Sequence, residues 1–230
     1  MSMHLPIVEC RGITKSFGIG QQRVQVLRGV DFKAARGEMT FLVGPSGCGK
    51  TTLISIVGGI LPRDGGELDV GGHDLGKLPS SKQSAFRLKN VGFIFQQYNL
   101  LPALTARENA AVPLIAAGVP SRAAHARAGE LLDRLGLGSQ MHKFPAQLSG
   151  GQQQRVAIAR ALIHEPKLII CDEPTASLDA HTGQTVMAML KESAVHADRA
   201  VIIVTHDHRI YDFADRIAHM EDGVVTHVEA

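Results

Sequence analysis

Gly44-Pro45-Ser46-Gly47-Cys48-Gly49-Lys50-Thr51 is the stretch whose reading decides the fold. It matches the pattern Gly-x4-Gly-Lys-Ser/Thr in full. The apolar run 38–43 leads into it, and a helical pattern at 52–60 follows. A strand, a glycine turn and a helix in that order make an anion site. Glycines let backbone N–H groups close around a phosphate without a Cβ in the way. The helix directs its positive end at the anion. Lys50 supplies a mobile charge for the β- and γ-phosphates, and the Thr51 hydroxyl suits Mg²⁺. The stretch therefore predicts a nucleoside triphosphate site within a sheet-and-helix fold.

The surroundings extend this reading. The run 23–32 alternates around Val24, Val26 and Val30, 38–43 leads into the glycine loop, and 91–95, 168–171 and 200–205 are compact and apolar, each bounded by turn or charged residues. They predict buried strands of a mostly parallel sheet. Helical spacing occupies 52–60, 122–135, 150–163 and 182–194. In 122–135, Ala124, Ala128, Leu131, Leu132 and Leu135 share one face. Strands alternating with helices give an α/β layered fold. Residues 98–160 hold no convincing strand, which predicts a helical lobe inserted into the α/β core.

The run Leu168-Ile169-Ile170-Cys171-Asp172-Glu173 ends in two acids. In an open α/β sheet, ligands bind beyond the carboxyl ends of the strands. Asp172 is placed to hold Mg²⁺, and Glu173 to orient or deprotonate an attacking water. Alone, the pair reads equally well as a charged strand end paired with a lysine. The phosphate loop decides for chemistry.

Composition narrows the class. Lys plus Arg is 24 and Asp plus Glu is 22, a balance that gives no electrostatic case for a nucleic-acid partner. An apolar content of 44% excludes the disordered class. Cys10, Cys48 and Cys171 are scattered and odd in number, so they read as small buried or loop residues rather than a disulfide or zinc set. Residues 1–6 lack the order of a signal peptide. The most apolar stretch, 110–119, is interrupted by Pro113 and is too short for a bilayer. The expectation is a soluble, cytosolic chain whose membrane part, if it serves a membrane, is another polypeptide.

Leu148-Ser149-Gly150-Gly151-Gln152 names a family. Locally, Ser149-x-x-Gln152 is a capping box that opens a helix. A cap does not require two consecutive glycines, and these expose N–H groups at a second helix start. With the phosphate loop upstream and Asp172 23 residues beyond Ser149 (172 − 149), the segment resembles the signature motif of the ATP-binding cassette (ABC) ATPase family. The resemblance covers nearly the whole chain. Gln96 is similar to the family's Q-loop glutamine, which senses Mg²⁺ and the γ-phosphate. Ser177-Leu178-Asp179 resembles the D-loop, and His206 the switch histidine. Phe17 resembles the aromatic residue that stacks on adenine, where the family more often has Tyr. By itself, a Phe beside a strand reads as core.

The resemblance implies one ATP-binding cassette over 1–230. Its fold would be a RecA-like parallel-sheet core, about 1–97 and 161–230, with an N-terminal antiparallel β portion and a helical subdomain at about 98–160. ATP and Mg²⁺ are the implied cofactors. The nucleotide falls to the loop through Thr52, with Phe17, Gln96, Ser149, Gly150, Gly151, Gln152 and Asp179. The metal falls to Thr51, Gln96 and Asp172. Catalysis falls to Lys50, Glu173 and His206. Two copies would pack head to tail, each ATP lying between the phosphate loop of one and Ser149 and Gly151 of the other.

Residues 95–102 and 104–109 most resemble the transporter group of lipoprotein-release and macrolide-export ATPases. That implies an integral membrane permease as partner and a peripheral place on the inner face of the cytoplasmic membrane. Tyr98, Leu100 and Leu101 either pack the helical lobe or line a groove for a permease helix. Two functional readings share this chemistry. One is the energising subunit of an exporter or lipid/lipoprotein extractor. The other is an ATP-driven mechanical switch of the cell-division type, acting on a membrane partner without transport. The sequence stops soon after the core, so no second cassette or large regulatory domain is expected.

Overall fold

The computed structural model describes residues 6–196 and 198–229. β1 (Pro6–Phe17) and β2 (Val24–Ala35) form a long antiparallel hairpin. β3 (Met39–Val43) passes through the glycine loop into α1 (Lys50–Val57). β4 (Gly65–Val70) returns to β1 and completes a three-stranded sheet of order β2-β1-β4. α2 (Ser80–Asn90) runs into β5 (Val91–Ile94). Then come α3 (Ala106–Ala116), α4 (Ser121–Arg134) and α5 (Gly150–Leu162), with no strand between β5 and the next sheet element. β6 (Leu168–Asp172), α6 (Ala180–Ala194), β7 (Ala200–Thr205), β8 (Arg216–Glu221) and β9 (Val224–Glu229) follow.

The second sheet has six strands in the order β5-β6-β7-β3-β8-β9, all parallel except β9. β6 and β7 come late in the chain yet lie between β3 and β5. This brings the carboxyl ends of β3, β5, β6 and β7 to one edge, the place where open α/β sheets bind ligands.

Strand alternation sorts the core into two layers. Phe41, Val43, Ile169, Cys171, Val201 and Ile203 face α3, α4, α5 and α6. Leu42, Leu168, Ile170, Ile202 and Val204 face α1 and the three-stranded sheet. With both faces covered, the central strands are nearly continuous apolar runs, with Thr40 the one polar residue inside β3 and Asp172 and Thr205 at the carboxyl ends of β6 and β7. All three cysteines are buried within these layers, and burial pushes the Cys10 thiol up to about 12.

Two expectations need correction. The run 23–32 belongs to β2 of the antiparallel sheet, not to the parallel one. Its alternation is the clue, because Val30, Phe32 and Ala34 are buried while Asp31 and Lys33 between them are exposed. Such a strand covers the core with one face only. Pro113 does not break its segment but lies inside α3. Proline there forfeits its own bond to the carbonyl four residues back. The helix continues because Ala110, Ala111 and Leu114 are buried and Thr105 and Glu108 form a full capping box at its start.

Candidate nucleotide site

The loop between β3 and α1 is shaped by positions that tolerate no side chain. Gly44 has φ 149°, and a Cβ there would run into the Met220 carbonyl of β8. Gly49 precedes α1 at φ 110°, and a Cβ would lie 2.8 Å from Leu27 Cδ2. Because the N-cap is glycine, α1 begins with no side-chain cap. Its first N–H groups stay available to an anion. Lys50 is only 7% exposed. Its Nζ donates to the Gly44 carbonyl at 2.7 Å and the Pro45 carbonyl at 2.8 Å. Carbonyls orient the ammonium group without neutralising it.

A cleft of about 550 Å³ opens over this loop, lined by Ser46, Lys50, Thr51, Gln96, Asp172, Glu173 and His206 among others. The Thr51 hydroxyl donates to Asp172 Oδ1 at 3.3 Å. Burial pushes the Asp172 carboxyl above its ordinary value, opposed by the Thr51 hydrogen bond. The Glu173 charge raises it further and Lys50 lowers it. Glu173 follows the end of β6 at φ 51°, a conformation strained for a non-glycine residue. Its N–H is held by the Val204 carbonyl at 2.9 Å. Its Oε1 lies 2.6 Å from His206 Nδ1, so the imidazole N–H donates to the carboxylate.

A second group of the sequence-derived candidates gathers outside the cleft. Ser149 caps α5, its Oγ accepting from the Gln152 N–H at 3.3 Å while Gln152 Oε1 accepts from the Ser149 N–H at 2.9 Å. Asp179 caps α6 by accepting from the Thr182 N–H at 3.0 Å. Tyr98, two residues beyond Gln96, brings its hydroxyl to the space beside Gly150 that Ser177 also borders. A Cβ on Gly150 would sit 3.0 Å from the Tyr98 hydroxyl. The Gln96 loop, the start of α5 and the 177–179 segment thus meet. None of Ser149, Gly150, Asp179 or Phe17 lines the cleft. Phe17 is 44% exposed, with Lys15 Nζ 5.6 Å from its ring centroid.

The model of the family described as ABC transporter matches residues 27–176. The chain belongs to the ABC transporter family. The matched stretch holds the phosphate loop, Gln96, the capped glycines and both strand-end acids, and leaves Phe17, Asp179 and His206 outside. The macrolide export ATP-binding/permease protein MacB 1 of Aeromonas hydrophila is 45% identical over 97% of this chain and 34% of its own length. The chain thus spans about a third of that relative. The lipoprotein-releasing system ATP-binding protein LolD of Bacteroides fragilis is 42% identical over 94% of this chain and 99% of its own length. A dimeric ATP-binding cassette in a post-hydrolysis state, bound to ADP and Pi, superposes with a TM-score of 0.86. It is 36% identical, covering 96% of this chain and 97% of that one. This ABC cassette is an ATP-binding ATPase with the α/β fold of those structures.

The cassette also uses residues that sequence reading missed. Arg160 of α5 donates to the Tyr98 carbonyl at 2.7 Å and the Asn99 carbonyl at 2.6 Å. Tyr98 and Asn99 have φ of 59° and 48°, so Arg160 holds a strained turn just after Gln96. Its one sequence signal is a lone arginine in the apolar run Val156–Leu162. Val26 lines the cleft from β2. The Gly223 N–H donates to the Cys48 carbonyl at 3.1 Å, so the β8–β9 turn braces the phosphate loop.

Proposed function

We propose that the chain is the nucleotide-binding, ATP-hydrolysing part of a transporter for export or for lipid or lipoprotein extraction. Two copies pair head to tail on ATP and drive a membrane permease from the cytoplasmic face of the membrane. One observation carries the pairing. Of two glycine-bearing helix starts, that of α1 lines the cleft and that of α5 does not. The cleft is then half a site, and Ser149 and Gly151 of a second copy supply the rest. The dimeric cassette bound to ADP and Pi supports this, as do the export and lipoprotein-releasing relatives. Among the described residues no helix is long and apolar enough to cross a membrane, so the permease segments lie outside them. Residues 98–160 form the helical lobe of this single cassette, the side we assign to permease contact.

The cleft residues divide the work. Thr51 Oγ1 and Asp172 Oδ1, 3.3 Å apart, are hard oxygen donors that suit Mg²⁺, with Gln96 beside them. Bound Mg²⁺ would offset the charge of the β- and γ-phosphates. Lys50 and the uncapped N–H groups of α1 bind the same oxygens. Glu173 accepts the proton of the water that attacks the γ-phosphorus as the bond to ADP breaks. His206 donates to that carboxylate and fixes its direction.

The deciding experiment has two arms on the full chain. Adding ATP to a Glu173→Gln variant should double its mass in solution, and purification from membranes should bring a permease with it. A monomer at saturating ATP overturns the pairing, and no co-purifying integral membrane protein overturns the transport role.

A further inference from the structure

We propose that His219, His227 and Glu229 form a binding site for a divalent transition-metal cation, clipping the edge strand β9 to β8. None of the three lines the nucleotide cleft. His219 and His227 are direct cross-strand partners in the antiparallel ladder. Glu229 is two residues beyond His227, on the same face. One ligand atom from each lies within 4.8 Å of the others.

Two of the three spacings suit ligands shared by one ion. Glu229 Oε1 lies 3.1 Å from His219 Nε2 and 3.3 Å from His227 Nε2. Those spacings match the edge of a coordination tetrahedron with metal–ligand bonds of about 2.0–2.1 Å. His219 Nε2 is shielded from solvent yet has no hydrogen-bond partner among the described residues, because Glu229 lies off the line its ring requires. A buried ring nitrogen without a partner is costly. A cation between the three groups would satisfy it.

The tautomer of His227 is fixed from behind. Thr226 Oγ1 donates its single proton to the His219 carbonyl at 3.2 Å. The same oxygen lies 3.2 Å from His227 Nδ1. With that proton spent, Thr226 accepts from Nδ1–H, which leaves Nε2 with the free lone pair. A ligand histidine whose other nitrogen is held by a hydrogen bond is the usual outer-shell arrangement at a metal. The rings stack at 4.0 Å with planes 10° apart, so capture requires them to turn toward each other about a torsion with broad freedom.

Two imidazoles and one carboxylate select zinc-class ions over Mg²⁺ and Ca²⁺, which prefer all-oxygen shells. Water completes the coordination at this exposed edge. The site secures the hairpin whose turn holds the phosphate loop through Gly223.

The test uses the full chain without nucleotide. Zn²⁺ is titrated calorimetrically into wild type and a His227→Asn/Glu229→Gln variant, whose folding is checked by circular dichroism in EDTA. Wild type should bind one equivalent more than the variant. Zn²⁺ at a hundred times its dissociation constant should raise the wild-type Tm by roughly 5–10 °C, with the rise lost in the variant. Thr226→Val should weaken Zn²⁺ binding by about 10–100-fold. Equal stoichiometry and equal Tm shifts in wild type and the double variant would overturn the site.

Discussion

The starts of α1 and α5 look alike in sequence and differ in construction. Both carry closely spaced glycines, just ahead of α1 and in the first two positions of α5. At α1 the N-cap is Gly49 with no side-chain bond, and Lys50 stands over the opening. At α5 the N-cap is Ser149, sealed by a reciprocal bond with Gln152, and the Arg155 guanidinium one turn on is spent on the Gly151 carbonyl at 3.4 Å. The first is open and positively charged, ready for a phosphate within its own chain. The second is closed in isolation and offers only the glycine N–H groups and a hydroxyl. Glycine content alone does not make an anion site. What matters is whether the helix's own side chains have already claimed its first donors.

The largest effect separates binding from chemistry and leaves both helix starts intact. Glu173→Gln should slow ATP hydrolysis by about 10²–10⁴-fold while ATP still binds, read by steady-state turnover against equilibrium nucleotide titration. Near-wild-type turnover would remove Glu173 from its role. Next comes the charge that distinguishes α1. Lys50→Ala should cut turnover by roughly 10²-fold or more, the scale of a lost charge-stabilising donor. An unchanged rate would erase the contrast between the two helix starts.

Asp172 sharpens the comparison through pH. Burial raises its carboxyl above the ordinary value, so the folded state holds the proton more tightly than the unfolded one. Ionisation of Asp172 therefore costs stability, a cost that sets in as pH rises from the unfolded value of about 3.9 through the raised folded one. At neutral pH without nucleotide, Asp172→Asn should have the higher Tm. Mg²⁺-dependent ATP binding should fall on the acid side at higher pH than a normal aspartate would give, and the variant should lose that limb. A lower Tm for the variant would contradict the burial argument. The smallest effect is at the sealed end. Ser149→Ala should cost about 1 kcal/mol of stability, a fall in Tm of about 2–4 °C, with unchanged ATP binding by the single chain. Weakened binding there would show that α5 serves its own cleft.

What the sequence disclosed follows from where the physics is local. The phosphate loop is legible because its glycines, lysine and threonine act within eight consecutive positions. β3, β6 and β7 are legible because a strand buried on both faces is a nearly continuous apolar run. α2 was missed because none of its residues is buried, so no apolar stripe marks it. β8 and β9 mix histidine, glutamate and threonine with few buried residues, so the hairpin carries little strand signal. The position of Glu173 against His206 depends on two strands meeting across the sheet, 33 residues apart in sequence. The α/β class, the nucleotide loop and the acid pair could thus be read from the chain, whereas the grip of Arg160 on the turn after Gln96 could not.

That grip has a mechanical consequence. α5 carries Ser149 at one end and Arg160 near the other, about 17 Å apart along its axis at 1.5 Å per residue. The far end holds two main-chain oxygens of the turn that follows Gln96. In the proposed paired arrangement, the near end would touch the neighbour's nucleotide. A stiff rod joined at both ends works as a lever. Loss of the γ-phosphate in one cleft would tug its own Gln96 turn and tilt the rod that serves the other. The two clefts would then fire as a linked pair, with one arginine as the linchpin.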